Sequence, residues 1–137
     1  MDVTQIPFAK YIGIKQKAEG ILKLDSEDIV KNHIETIHAS AQFALAETQT
    51  GLYLQLAFPE LEGKVAGLLR GSTVKYKNPA KTSIYAVANI DKSIKEKFLN
   101  QIERKGRASI VVNVEVKDEA NVLVMQGEFT WFIQKII

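Results

Sequence analysis

The sequence predicts an α+β fold in which a curved antiparallel β-sheet wraps around one long central α-helix. Three observations carry this. The run from Thr36 to Leu56 is rich in Ala, Leu, Gln and Glu and is too long for a strand. It is also apolar on nearly every side, so a single open face cannot cover it. Almost everything after Pro59 alternates polar and apolar residues with a period of two, as half-buried strands do. At 137 residues the chain has the size of one domain with a real core, and residues 1–137 are expected to form it.

Taken in order, "IPFAKYIGIK" shows a loose helical stripe through Phe8, Tyr11 and Ile12 and reads as a short packing helix or lid. "AEGILKLDSED" reads as the first strand. The long helix follows; Gly51 can interrupt or end it, and Pro59 forbids its continuation. "GKVAGLLRGSTVKYK" alternates around Gly67 and Gly71, glycines that allow a bend or a close backbone approach. After the turn "NPA", the segment "KTSIYAVANI" aligns Ile84, Ala86, Ala88 and Ile90 on one face. In "DKSIKEKFLNQIERKG", Asp91 or Ser93 can cap a helix with the stripe Ile94, Phe98, Leu99 and Ile102, which Gly106 stops. "RASIVVNVEVKD" aligns Ile110, Val112, Val114 and Val116, "EAN" turns, and the last strand aligns Leu123, Met125, Phe129, Trp131 and Ile133. Five strands around a central helix make the hotdog architecture.

Charge and composition exclude several functions. Lys and Arg number 18 against 16 acids, a net charge of +2, and the basic residues are scattered, so nucleic acid is not the expected partner. The absence of cysteine excludes disulfides, thiolate catalysis and cysteine zinc sites. No segment approaches the roughly 20 apolar residues of a membrane span. The start "MDVTQIPFAKYIGIKQK" lacks the apolar core and cleavage site of a secretory signal, so a cytoplasmic protein is expected.

The stretch "NHIETIHASAQFALAET", residues 32–48, holds both histidines and one acid inside the apolar helix, Glu47. Seven and eleven residues bring a helix back to nearly the same face, so Glu47 lies in line with Ser40 and roughly with Thr36. That polar stripe is either the wet side of the helix or a reactive one. His33 and His38 are five residues apart, about 500° of helix, so they do not form a metal-binding pair. Each can be satisfied by loop backbone, and Asn32 can be a plain turn residue.

This stretch resembles the motif of hotdog-fold acyl-CoA thioesterases of the phenylacetyl-CoA thioesterase type: Asn, two residues, Gly-Thr-x-His-Gly-Gly, then a helix ending Leu-Ala-Asp or Leu-Ala-Glu. Asn32, Thr36, His38 and "LAE" at 45–47 fall on the motif, while Glu35 stands where it has Gly and Ala39-Ser40 where it has Gly-Gly. The resemblance is therefore to the uncharacterised branch of that superfamily. It implies hydrolysis of an acyl-CoA thioester to free acid and CoA, without a cofactor or metal. Glu47 would be general base or nucleophile, with Asn32 and His38 positioning water or substrate. Thr36, Ala39 and Ser40 would bind substrate, an Ala39 or Ser40 N–H polarising the thioester carbonyl. It also implies a homodimer or dimer of dimers with the site between protomers. Lys75 and Lys77, and more weakly Lys81 and Arg107, could meet the CoA phosphates, although a strand-edge lysine also serves as a solvated gatekeeper. Two rivals stand beside this reading. One is an acyl-CoA-binding hotdog protein without turnover; the other is a 3-hydroxyacyl-thioester dehydratase using His33 and Glu47, whose flanking Phe-Pro-Gly and Pro-Gly elements are absent.

Overall fold

A computed structural model describes residues 1–136. Along the chain come helix α1 (Pro7–Ile12), strands β1 (Lys15–Ala18) and β2 (Ile21–Leu24), helix α2 (Ala39–Ala57), strands β3 (Val65–Tyr76) and β4 (Ile84–Asn89), helix α3 (Lys95–Lys105), and strands β5 (Arg107–Asp118) and β6 (Leu123–Lys135). The strands form one antiparallel sheet in the order β1-β2-β4-β5-β6-β3. The α+β architecture expected from the sequence is present, with α2 across the sheet's inner face.

The sheet has six strands, not five. The segment expected to be one N-terminal strand contributes β2, and β1 precedes it across a turn in which Gly20 holds φ +75°. All four residues of β1 are exposed, so it carries no alternation for the sequence to reveal. β2 itself pairs with β4 and buries Leu22 and Leu24, and polar ties add to this. Gln49 on α2 is buried; its Oε1 accepts the Leu22 N–H at 2.7 Å and its Nε2 donates to the Gly20 carbonyl at 2.8 Å. Lys15 and Lys23 also meet Asp25, at 2.7 and 3.3 Å. The hydrogen bond from Lys15 is the main reason the Asp25 carboxyl lies below its usual range.

The long helix begins at Ala39 rather than Thr36, because His38 caps it and Ile37 is tied to the Ala80 carbonyl at 2.9 Å. Gly51 does not interrupt it; the Trp131 ring packs over this position, and the indole Nε1 donates to Thr50 at 2.9 Å. Ala41, Ala44, Leu45, Ala46 and Leu52 bury against the predicted strand faces: Ile84, Ala86 and Ala88, then Ile110 to Val116, then Met125, Phe129 and Ile133. Leu123 and Trp131 on that last face are half-buried. Of the stripe expected on α1, only Ile12 packs against the core. Phe8 and Tyr11 are exposed, and Ala9 and Ile14 anchor the segment. In α3 the expected Phe98 and Ile102 are buried, and Gly106 ends the helix at φ +74°. β3 is an edge strand, bulged at Leu69/Gly71, whose outer side has no strand partner among the described residues. Among those residues no helix is long and apolar enough to cross a membrane.

Candidate active site

The loop before α2 is built by Asn32. Its Oδ1 accepts the N–H groups of Ile34 and Thr36 at 3.1 and 3.0 Å, and its Nδ2 donates to the Thr36 hydroxyl at 2.8 Å. The Asn32 N–H closes the ring on the Thr36 carbonyl at 2.8 Å. These bonds turn the chain so tightly that Glu35 sits at φ +65°, in the left-handed region. This is the position at which the resembled motif carries Gly, and the conformation is the one Gly adopts without strain. The Asn32 amide is thereby committed to the loop.

His38 is the N-cap of α2. Its Nδ1 accepts the Ser40 N–H at 2.9 Å, which requires that nitrogen to be unprotonated. The ring itself is exposed. Of the two N–H groups considered for holding an oxyanion, the Ser40 donor is thus already engaged. The Ala39 N–H, in the first turn, has no acceptor among the described residues.

A cleft of about 300 Å³ opens beside this helix end, lined among others by Asn32, Thr36, Ala39, Gln42, Tyr76 and Lys77. Tyr76, at the end of β3, donates its hydroxyl to the Ala39 carbonyl at 3.2 Å, and burial pushes its phenol above the ordinary range. The cleft thus gathers Asn32, Thr36, Ala39 and Lys77 of the expected residues. It adds Tyr76 and Gln42, which the sequence reading did not single out; spacing could have suggested Gln42, one helical turn after Ala39.

The other expected residues lie elsewhere. Glu47 is half-buried on α2, and burial alone pushes its carboxyl above the usual range. Eight residues separate it from Ala39, about 12 Å along the axis. Lys75 lines a different groove of about 430 Å³, with Asn89, Asn113, Glu115 and Glu128, on the sheet face turned away from α2. Ser40 and His33 are exposed, and neither they nor His38 line the cleft. No group of three or more His, Asp or Glu among the described residues is placed to hold a metal ion.

The same architecture occurs in solved structures. A Pseudomonas aeruginosa protein of unknown function, named a probable thioesterase, is 20% identical with a TM-score of 0.83, the match covering 97% of this chain and 91% of that one. A Haemophilus influenzae thioesterase is 17% identical over 98% of this chain and 87% of its own, with a TM-score of 0.78. A Bacillus halodurans protein whose structure holds CoA is 21% identical over 92% and 74%, with a TM-score of 0.70. The likeness is one of fold, and this chain has the hotdog fold. No curated protein gives a significant match. The family profile described as domain of unknown function DUF4442 matches residues 14–133, from just before β1 to near the end of β6, and the chain belongs to that family.

Proposed function

We propose that the chain is an acyl-CoA thioesterase, releasing free acid and CoA, and that it works as a homodimer. The observation that carries this reading is the cleft at the start of α2, where the Ala39 N–H faces no acceptor among the described residues. A thioester carbonyl seated there would accept from that N–H, and the positive end of the helix dipole favours the oxyanion that forms on attack. Asn32 and His38 act through the backbone, one bracing the loop and the other capping the helix. Lys77, on the cleft wall, is the lysine suited to a CoA phosphate; Lys75 faces the wrong side.

Glu47 is the base in this reading, acting across a subunit boundary. At about 12 Å along the axis it is too far from Ala39 of its own chain, but the unpaired outer edge of β3 offers a second copy a sheet to extend. Pairing there would bring Glu47 of the partner subunit toward the cleft. The carboxylate takes a proton from water, the water oxygen bonds to the thioester carbon, the C–S bond breaks, and the proton leaves on the CoA thiol. The CoA held by the Bacillus halodurans protein and the activity named for the Haemophilus influenzae one support this ligand and chemistry.

Binding without turnover is the second reading, favoured by the Cβ that Ala39 adds where the motif has Gly. The dehydratase has no such support, since His33 is exposed and outside the cleft. Thiol release from a broad acyl-CoA panel, run beside calorimetry with the same compounds, separates the two. Steady release is expected; binding with no release across the panel overturns hydrolysis.

A further inference from the structure

Gln42 lies one turn after Ala39 on α2 and lines the same cleft. It is only 5% exposed, and its amide has a defined sense. Nε2 donates to the Ile37 carbonyl at 3.0 Å, so a flipped amide would set two oxygens against each other. The outcome is a buried Oε1 with no donor among the described residues. A buried acceptor left without a donor is costly, a cost borne beside the donor that Nε2 supplies to the buried Ile37 carbonyl.

Among the described residues the Ala39 N–H lacks an acceptor and the Gln42 Oε1 lacks a donor, and the two residues share one helix face about 4.5 Å apart along the axis. Such a pair asks for one ligand group that accepts and another that donates. A thioester carbonyl accepts, but it has no proton to give. The water that attacks it has two. Resting on the thioesterase reading above, we infer that Gln42 Oε1 holds the hydrolytic water beside the carbonyl that the Ala39 N–H holds. Oε1 is closed to solvent in the resting chain, so reaching the water requires a turn about the terminal side-chain torsion, which is soft, at the expense of the Nε2 bond to Ile37. One O–H of the water donates to Gln42 and the other to the carboxylate of Glu47 of the partner subunit. The lone pair forms the C–O bond while the carboxylate takes the proton; collapse breaks the C–S bond, and the thiolate takes the proton back. An amide cannot accept that proton, so Gln42 positions the water and Glu47 activates it.

The test uses the full chain and the best acyl-CoA of the panel, with kcat, KM and Tm measured together. Gln42→Met is expected to lower kcat by roughly 10–100-fold with KM kept within about threefold, the signature of a contact made at the reacting atoms. Unchanged kcat overturns the inference, as does a rise in KM that accounts for the whole loss. Should Gln42→Met fail to fold, Gln42→Glu placed on a Glu47→Gln background decides. An introduced carboxylate beside the water is expected to recover about tenfold or more over Glu47→Gln alone, rising with pH as it ionises; no recovery overturns the inference. Failure of the thioesterase reading is seen separately, as a wild-type chain that releases no thiol, and this inference falls with it.

Discussion

Glu35 and Glu47 are two acids placed at some cost, one to the backbone and one to the carboxylate. A left-handed conformation costs a non-glycine residue about 1–2 kcal/mol, and Glu35 holds φ +65°. Glu35→Gly removes that strain but gives the unfolded chain extra freedom worth about 0.4–1 kcal/mol. Its contact with Lys31, at 4.0 Å and exposed on the Glu35 side, contributes little. Urea unfolding should therefore find Glu35→Gly equal to wild type or up to about 1 kcal/mol more stable, and Glu35→Val less stable by about 1 kcal/mol or more. A valine variant as stable as wild type would mean that the loop does not hold this conformation. Glu47 carries a carboxyl that burial raises, so the folded chain holds its proton more tightly than the unfolded chain does. Stability then falls as pH climbs from the ordinary carboxylate value through the raised one, and stays lower above it. Glu47→Gln should melt with wild type near pH 4 and above it at pH 7, while turnover drops about 10²-fold. A variant less stable than wild type at pH 7, or one equally active, contradicts this.

Elements are held by contacts of two kinds, repeated apolar faces and single polar ties, and only the first recurs along the chain. β4 and β5 place their alternate residues as the pattern requires, and β6 does so beyond the register shift that buries both Val124 and Met125, with Gly127 the one member of its inner row that has no side chain. Its place is tight. A Cβ there would lie 2.7 Å from Val74 Cγ1 and 2.9 Å from the Thr73 carbonyl oxygen, and the latter belongs to the β3 backbone and cannot swing aside. Gly127→Ala should push β3 off β6 and lower stability by about 1–3 kcal/mol in denaturant unfolding. Gly67 is the contrasting case, where an added Cβ at 2.8 Å meets the mobile end of Ile133. If Gly127→Ala costs no more than Gly67→Ala, the close approach of β3 to β6 is not rigid. β2 shows the same alternation, burying Leu22 and Leu24 and pairing with β4, while β1 beyond it and the turn between them depend on single ties from Asp25 and Gln49, which leave no periodic trace.

The sheet ends on one side in β3, a twelve-residue strand whose outer edge has no strand partner among the described residues, with Leu68 73% exposed. A long open edge beside exposed apolar side chains is a liability in a protein that stays monomeric. The homodimer proposed above covers it. Sedimentation at micromolar concentration should give a dimer, and Leu68→Lys should shift it toward monomer and reduce turnover in parallel, because the proposed base belongs to the second copy. A stable, active wild-type monomer would refute the shared site. A Leu68→Lys monomer of full activity would refute the cross-subunit base.

The sequence by itself determined what periodicity and local chemistry carry. The central helix, the long strands, the Gly106 stop of α3 and the apolar rows of β4, β5 and β6 follow from spacing, since burial repeats at the period of each element; Asp91 caps the short 3-10 turn at 92–94 instead of α3, whose own N-cap, Ile94, makes no side-chain bond. The position of Ala39 at the helix start was legible too, through the motif at 32–47. Tertiary structure decided which polar groups meet. Tyr76 reaches the Ala39 carbonyl from 37 residues away, Lys75 and Lys77 part to different grooves, and Ser40 loses its N–H to a cap. Glu47 stands apart from the cleft of its own chain, and Gln42 holds an oxygen without a donor. Such meetings depend on side-chain direction and on chain closure over long separations, and neither has a period that a sequence can display.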